Sequence, residues 1–534
     1  MPGHELRDTA PVHPSASYAD PGARVGARMS VLAIDAGTTG VTALVVDELG
    51  RVVSRGYQEF GQHFPRPGWV EHEPEEIWLA VLSACRQALD GQDDGQGDGH
   101  GDSQGNRRQV TAIGVTNQRE TAVLWDRRTL QSARRAIVWQ DRRTTGVCER
   151  LHAAGHEPRV AELTGLRLDP YFTATKLAWL AEHEPQTWTG VTAGRTAVGT
   201  VDSYVIARLT GGARHVTDAG NASRTLLFDL RGGRWSGELC ELFDVPMTAL
   251  PEVVPSYGEI GRTDPAAFLG LDLPIAGIAG DQQAALFGQG CFDVGRSKCT
   301  YGTGSFVLVN TGPTPVLSSR LLTTVAWMAP DGALTYALEG AVFVTGAAVQ
   351  WLRDGLQLIG SAREVEDLAR SVPDAGGVVF VPALTGLGAP HWDPDARGSI
   401  LGITRGTTRA HLARATLDAI AFEVRDVVDA MTTEAGCELP CLQVDGGASA
   451  NDLLCQLQAD QLGTPVQRPQ VLETTALGAA FLAGLGTGVW SSTTELTGAW
   501  QLDARFEPTA GVREDGSHRR WSAAVERSRG WAAL

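Results

Sequence analysis

The hydrophobic pattern opens with two short apolar runs, 31–35 and 41–47, the second passing through the turn Glu48-Leu49-Gly50 into Val52-Val53. Short runs of this kind, bounded by small and polar residues, predict strands in an antiparallel meander. Over 75–89 the period lengthens, with Ile77, Trp78, Val81, Ala84, Cys85 and Ala88 at helical spacing. Strand-like runs at 111–115 and 121–125 then give way to helical ones at 176–182, 284–288, 347–358, 409–431 and 452–462. This alternation predicts an α/β fold with helices layered on sheets. Two uncharged stretches, 299–319 and 474–494, reach membrane-span length, but the first carries Pro313 and Pro315 and the second Gly478, Gly484, Gly486 and Gly488. Buried strands are expected in the first, and a buried helix end followed by a loop in the second.

The pattern also repeats. Ile34-Asp35-Ala36-Gly37-Thr38-Thr39 opens the first meander, and Thr300-Tyr301-Gly302-Thr303-Gly304-Ser305-Phe306 opens a similar one about half a chain later. Two related domains facing one cleft is the arrangement this suggests. A length of 534 residues suffices for two to four domains and a large core. The segment 91–106, with six glycines and four aspartates, is too poor in apolar residues to order itself and is expected as a surface insertion. Residues 1–28 hold Pro2, Pro11, Pro14 and Pro21 and no apolar run fit for a signal peptide, which predicts a disordered extension.

Charge narrows the partners. Asp plus Glu number 62 against 45 Lys plus Arg, a net charge of −17, which argues against general affinity for nucleic acid or anionic lipid and leaves small molecules or proteins. Only Lys176 and Lys298 are lysines, which reads as coding bias rather than an arginine-rich binding surface. The eight cysteines are scattered, with no Cys-x-x-Cys pair, so neither a disulfide framework nor a zinc site is indicated and a reduced cytoplasm fits.

Candidate chemistry gathers at strand ends. In Asp35-Ala36-Gly37-Thr38-Thr39-Gly40, small residues let backbone N–H groups approach a phosphate and the hydroxyls add donors, although a plain hairpin turn reads the same way. Tyr301-Gly302-Thr303-Gly304 repeats the chemistry, so two such hairpins could clamp a nucleotide from both sides. There is no Gly-x-x-x-x-Gly-Lys-Ser/Thr and no well-placed Gly-x-Gly-x-x-Gly, so any nucleotide needs another cradle. Val444 to Asn451, a strand running through glycines into a helix, and Gly346 with Gln350 are candidates for it. Asp281, in Gly277-Ile278-Ala279-Gly280-Asp281-Gln282-Gln283-Ala284, is either a helix N-cap or a general base at the edge where α/β sheets place ligands. Asn117-Gln118-Arg119-Glu120-Thr121 puts a donor and an acceptor side by side between apolar strands, fit for adjacent hydroxyls or for a mutual salt bridge. Trp139 and Tyr171, taken singly, read as packing aromatics as readily as ligand walls.

As a set, these segments resemble the FGGY carbohydrate kinase family over about 31–502. The resemblance rests on Asn117 to Thr121, 137–143 (IVWQDRR), 215–228 (HVTDAGNASRTLLF), 277–288 (GIAGDQQAALFG), 336–354 (YALEGAVFVTGAAVQWLRD), 386–398 (GLGAPHWDPDARG) and 444–447. It implies two actin-like, ribonuclease H-like ATPase domains flanking a deep cleft. The expected division is 29–289 for the polyol side, 290–505 for the nucleotide side and 506–534 as a tail with a helix. It further implies transfer of the γ-phosphate of Mg-ATP to the terminal hydroxyl of glycerol, giving sn-glycerol 3-phosphate and ADP, in a cytoplasmic homodimer or homotetramer.

Carried onto this sequence, the acceptor contacts would be Arg119, Glu120, Trp139, Tyr171, Asp281 and Gln282, with Phe306 closing the pocket. Asp281 would be the catalytic base. Thr38, Thr39, Thr303, Gly346, Gln350, Gly447 and Asn451 would hold the nucleotide, and Mg2+ would sit near Asp35 and Asp281 through water. The acceptor set matches members that act on glycerol, which favours glycerol over a pentose or hexose. Such members usually read Asp-Gln-Gly-Thr-Thr-Ser-Ser-Arg at the first loop, where this chain ends in Gly40-Val41-Thr42 and so lacks a cation. The segment 269–274 lacks the glycine-rich, arginine-containing loop with which some bacterial members bind fructose 1,6-bisphosphate. Two alternatives stand beside this reading: a family kinase for another polyol or ketose such as erythritol or xylulose, and a non-enzymatic nucleotide-dependent switch on the same fold.

Overall fold

The computed structural model describes residues 29–91 and 109–533. The expected extension 1–28 lies outside the described residues, as does the 91–106 insertion apart from Gly91. Strands β1 (Met29–Ala36), β2 (Gly40–Asp47) and β3 (Val52–Glu59) form the expected antiparallel meander. Strand β4 (Gln109–Asn117) runs parallel to β1, followed at the edge by β5 (Tyr257–Arg262) and β6 (Pro274–Gly280). The resulting six-stranded sheet has the order β5-β6-β4-β1-β2-β3, with β6 parallel to β4.

The second half repeats the plan. Strands β7 (Ser297–Tyr301) and β8 (Ser305–Gly312) form a hairpin, extended by β9 (Leu322–Met328) and β10 (Leu334–Val342). Strands β11 (Leu442–Asp445), β12 (Val466–Pro469) and β13 (Leu502–Phe506) complete a seven-stranded sheet of order β9-β10-β8-β7-β11-β12-β13. Strand β11 lies parallel to β7 and β12 parallel to β11, as β4 and β6 do on β1. The 299–319 stretch is therefore the β7–β8 hairpin and the chain beyond it.

Each sheet is covered on both faces, and the covering exchanges chain between halves. On the first sheet, Leu32, Ile34, Val41 and Val45 pack with Ile77 and Val81 of α1 (Pro74–Asp90) and Val205 and Leu209 of α2 (Val201–Leu209). Proline at the first turn of α1 suits a position whose N–H has no helical partner. After β6 the chain enters α3 (Asp281–Gly288), whose Leu286 packs on Leu308, Ala326 and Ala337 of the second sheet. The other face of that sheet is covered by α4 (Arg409–Ala435) and α5 (Asp452–Leu462). Helix α6 (Thr474–Thr487) follows β12 but lies on the first sheet, where Ala476, Ala479, Ala480 and Ala483 meet Val31, Ala33 and Leu44. It is apolar because it is buried, and no helix among the described residues is long and apolar enough to cross a membrane.

Helices α3 and α6 cross at glycines. A Cβ on Gly478 would stand 1.8 Å from the Ala284 carbonyl oxygen, and one on Gly288 would stand 2.2 Å from that of Thr474. In the tail, α7 (Ser517–Ser528) buries Trp521, Ala524 and Val525 against Phe422 of α4.

Two predicted elements differ. The 347–358 run is an α-helix only over Gly346–Gln350, after which the chain widens into a π-turn over Trp351–Gly355 where Gly355 packs against the Trp351 ring. The 121–125 strand begins only at Val123, because Thr121 closes a tight turn by donating its N–H to the Arg119 carbonyl.

Candidate active site

That turn builds the floor of the site. At the end of β4, Glu120 adopts φ 61°, a left-handed conformation that side chains rarely take, and consecutive side chains are thereby sent to different partners. Residues Asn117 to Thr121 are all buried. Arg119 donates from its two terminal nitrogens to Glu339 at 2.5 and 3.0 Å, and from Nη1 to Gln283 Oε1 at 3.3 Å. Its Nε lies 3.0 Å from Asp281 Oδ1. Glu120 Oε1 accepts from Arg224 Nε at 2.7 Å, and Arg224 Nη2 reaches Glu339 at 3.0 Å.

The mutual Arg119–Glu120 ion pair is present but long, at 3.8 Å, and each of the two has a closer partner. Positive and negative groups alternate from Glu120 through Arg224, Glu339 and Arg119 to Asp281. Burial would raise the Glu339 carboxyl, but Arg119 and Arg224 outweigh it and hold its pKa at about 2. A buried network of this kind is a positional device, since removing one member strands a charge at a cost of about 3–5 kcal/mol. Arg224 and Glu339 are functional candidates that sequence reasoning missed. The available signal was a lone carboxylate in the otherwise apolar β10 run Leu334–Val342.

Asp281 is the first residue of α3, not its cap. Gly280 occupies the cap position and the Asp281 carboxylate folds onto the Gln282 N–H at 2.7 Å, with about 30% of its side chain exposed. Opposite it, at the end of β1, the Asp35 side chain has no hydrogen bond or ion pair with any described residue. Burial first, and then the nearby Asp281 charge, push the Asp35 pKa up to about 7. Two converging carboxylates, one without a protein counter-ion, fit a hydrated divalent cation. Among the described residues no group of three acidic, histidine or cysteine side chains is arranged to enclose a metal, so the fit is to an ion that keeps its water.

Trp139 and Tyr171 stand edge to face with centroids 5.6 Å apart, and Trp139 Nε1 donates to Thr38 Oγ1 at 3.0 Å. The aromatic wall is therefore tied to the first glycine-threonine loop. Phe306 does not join it. Its ring packs against the apolar cluster that α3 and the second sheet share, and it has no ring contact with Trp139 or Tyr171 among the described residues.

On the opposite side, the second loop meets two other elements through backbone. The Gly346 N–H donates to the Gly302 carbonyl at 3.0 Å, and the Thr345 and Ala347 N–H groups donate to Thr303 at 2.8 and 3.1 Å. Gly446, at φ 81°, lies where a Cβ would be 2.5 Å from the Tyr301 carbonyl oxygen, so only glycine allows β11 to turn beside this loop. Thr303, Gly346, Gln350 and Gly447 are thereby brought together, with Thr303, Gln350 and Gly447 exposed. Asn451 has a structural duty as well, because its side-chain oxygen caps α5 through Leu454 N–H at 2.9 Å. Thr39 is exposed on the first loop.

The FGGY family of carbohydrate kinases matches this chain in both parts, its N-terminal domain over residues 30–288 and its C-terminal domain over 297–487. A glycerol kinase of Dechloromonas aromatica (strain RCB) is 55% identical over 504 residues, covering 94% of this chain and 98% of its own. Among solved structures, the ADP complex of Plasmodium falciparum glycerol kinase superposes with a TM-score of 0.85 at 34% identity, over 95% of this chain and 99% of that one. The xylulose kinase of Rhodospirillum rubrum superposes with a TM-score of 0.81 at 25% identity, over 93% and 98%.

Proposed function

Because the chain belongs to the FGGY family of carbohydrate kinases, we propose that it is an ATP-dependent glycerol kinase, forming sn-glycerol 3-phosphate and ADP. The observation that carries this reading is the Arg119–Asp281 contact: a cation and a half-open carboxylate at the cleft edges of neighbouring parallel strands, beside the Trp139–Tyr171 wall. Full-length identity of 55% to a glycerol kinase, against 25% to a xylulose kinase, supports glycerol over a ketose.

In this reading Trp139 and Tyr171 cover the carbon chain of glycerol, and Arg119, Glu120 and Gln282 pair with hydroxyls that would otherwise lie unsatisfied once water is excluded. Asp281 accepts the proton of the terminal hydroxyl as that oxygen attacks the γ-phosphorus in line. An aspartate suffices because phosphoryl transfer depends chiefly on positioning and charge. Asp35 and Asp281 would hold Mg2+ through water, and the ion would supply positive charge to the phosphate oxygens. Thr38 and Thr39 on one loop, and Thr303, Gly346, Gln350, Gly447 and Asn451 on the other side, would hold the nucleotide, while Phe306 would approach the pocket only on closure of the halves. The division at 289/290, a cytoplasmic location and a homodimer or homotetramer belong to the same proposal.

The test is ADP release with Mg-ATP across glycerol, dihydroxyacetone, erythritol, xylulose and ribulose. Glycerol is expected to give the highest kcat/KM. A preference for a ketose or erythritol would replace glycerol with that acceptor, and no turnover with any of them would leave the regulatory-switch alternative.

A further inference from the structure

This chain writes its cations as arginine. Of 45 lysines and arginines only Lys176 and Lys298 are lysine, and both are fully buried. Each is bound to the neighbourhood of an acceptor-pocket residue. Lys176, in the Thr173–His183 helix, donates to three consecutive carbonyls of the loop in front of it: Pro170 at 2.8 Å, Tyr171 at 2.6 Å and Phe172 at 3.3 Å. Tyr171 thus hangs from a loop gathered onto one ammonium. Lys298, on β7, donates across the junction between the halves to Gln282 Oε1 on α3 and to Thr300 Oγ1 at 2.8 Å.

Shape explains why neither position is arginine. Three carbonyls or two side-chain oxygens converging on one point suit a compact tetrahedral ammonium, whereas a planar guanidinium spreads its donors along a fork. Polarity explains what Lys298 does to Gln282. An ammonium only donates, so the amide must turn its oxygen to Lys298, leaving its NH2, which has no partner among the described residues, as the group offered to a ligand. Gln282 is thereby made a donor toward the acceptor substrate, and Thr300, at the root of the second glycine-threonine loop, is tied to the same nitrogen.

We infer that Lys176 and Lys298 are positioning residues of the acceptor pocket, Lys176 setting the place of Tyr171 and Lys298 fixing the orientation of the Gln282 amide. The inference rests on the proposed acceptor pocket. Two double-mutant cycles test it: Lys298→Met with Gln282→Ala, and Lys176→Arg with Tyr171→Ala, reading the KM for glycerol, the Kd for ADP and the Tm. Each lysine variant is expected to raise the glycerol KM about tenfold, the worth of one or two hydrogen bonds, while the ADP Kd stays within about twofold. Each double variant is expected to be no worse than its poorer single.

Multiplying losses, or glycerol and ADP weakened alike, would overturn the inference. If Lys298→Met does not fold, Lys298→Arg takes its place, and a site where every replacement unfolds the protein is a structural one, which also overturns it. Absence of glycerol turnover in the wild type would remove the functional reading and this inference together. Turnover in the wild type with unchanged lysine variants would remove the inference alone.

Discussion

The two halves share a backbone plan but have divided its chemistry. In each, a hairpin of small residues leads a sheet in which two further strands run parallel to the first. At the corresponding place on the two hairpins the first half carries Asp35 and the second Thr300. The first is a carboxylate without a partner among the described residues; the second is a hydroxyl held by a buried ammonium. Both loops are held by backbone bonds, but an aromatic side chain, Trp139 on Thr38, reaches only the first, whereas the second takes three backbone N–H groups from the turn at Gly346. In the proposed reading these unlike walls line one cleft, the acidic aromatic one taking the polyol and the metal-bound phosphate, the backbone one the nucleotide. The shared plan supplies the shape, and the difference lies at a few strand ends.

This division is open to attack at several strengths. Its largest expected effect is at the acidic wall: Asp281→Asn should lower kcat with glycerol by about 10²- to 10⁴-fold with the Tm nearly unchanged, measured by steady-state ADP release and calorimetry. Next is the network joining the walls, where Glu339→Ala leaves Arg119 with Asp281 and Arg224 with Glu120 but takes the shared carboxylate from both, and should cost about 3 kcal/mol of stability in denaturant titration, with a raised glycerol KM in the folded fraction.

Acid should then act on the first half. Burial, helped by His63 beside one and Arg127 beside the other, lowers His72 and His215 to about 4. Between their ordinary value of 6.5 and about 4 the unfolded chain binds protons that the folded one refuses. Stability is therefore complete above pH 6.5 and falls with pH through that window, by up to about 3 kcal/mol for each histidine. Hydrogen exchange at pH 4.5 should open the first sheet before the second.

Smaller still is the helix crossing, where Gly478→Ala forces a carbon against a carbonyl and should cost about 1–3 kcal/mol of stability. The smallest effect restores a cation to the first wall. Thr42 is the cross-strand neighbour of Asp35, so Thr42→Arg sets a cation beside the first loop; turned to the phosphates it should lower the KM for ATP by up to about fivefold, the value of one exposed ion pair, whereas a raised KM would show it had taken Asp35 from the metal.

Much of this was legible in residue order because local spacing carries it. The meander at 31–53, α1 and the bounds of α5 follow from periodicity and from Gly and Pro punctuation. Arg119, Glu120 and Asp281 stood out because polar clusters or small residues interrupt apolar runs there, whereas Trp139 and Tyr171 read singly as packing aromatics and joined them only through the family resemblance. Arg224 and Glu339 were not legible, because their roles arise only when β10, from the second half, is laid beside the end of β4. No spacing encodes that meeting. The π-turn after Gln350 and the left-handed Glu120 were hidden for a related reason, being set by tertiary packing against local preference.

The exchange of α3 and α6 between the sheets also sets what a displacement of the halves would cost. Drawing the halves straight apart would strip Leu286 from one sheet and the alanine face of α6 from the other, exposing apolar surface on both sides at once. Turning about the glycine contact keeps both covered. With no side chains between them at that point, the two helices meet as the blades of pliers meet at a rivet, the place about which a swing of the halves would uncover least.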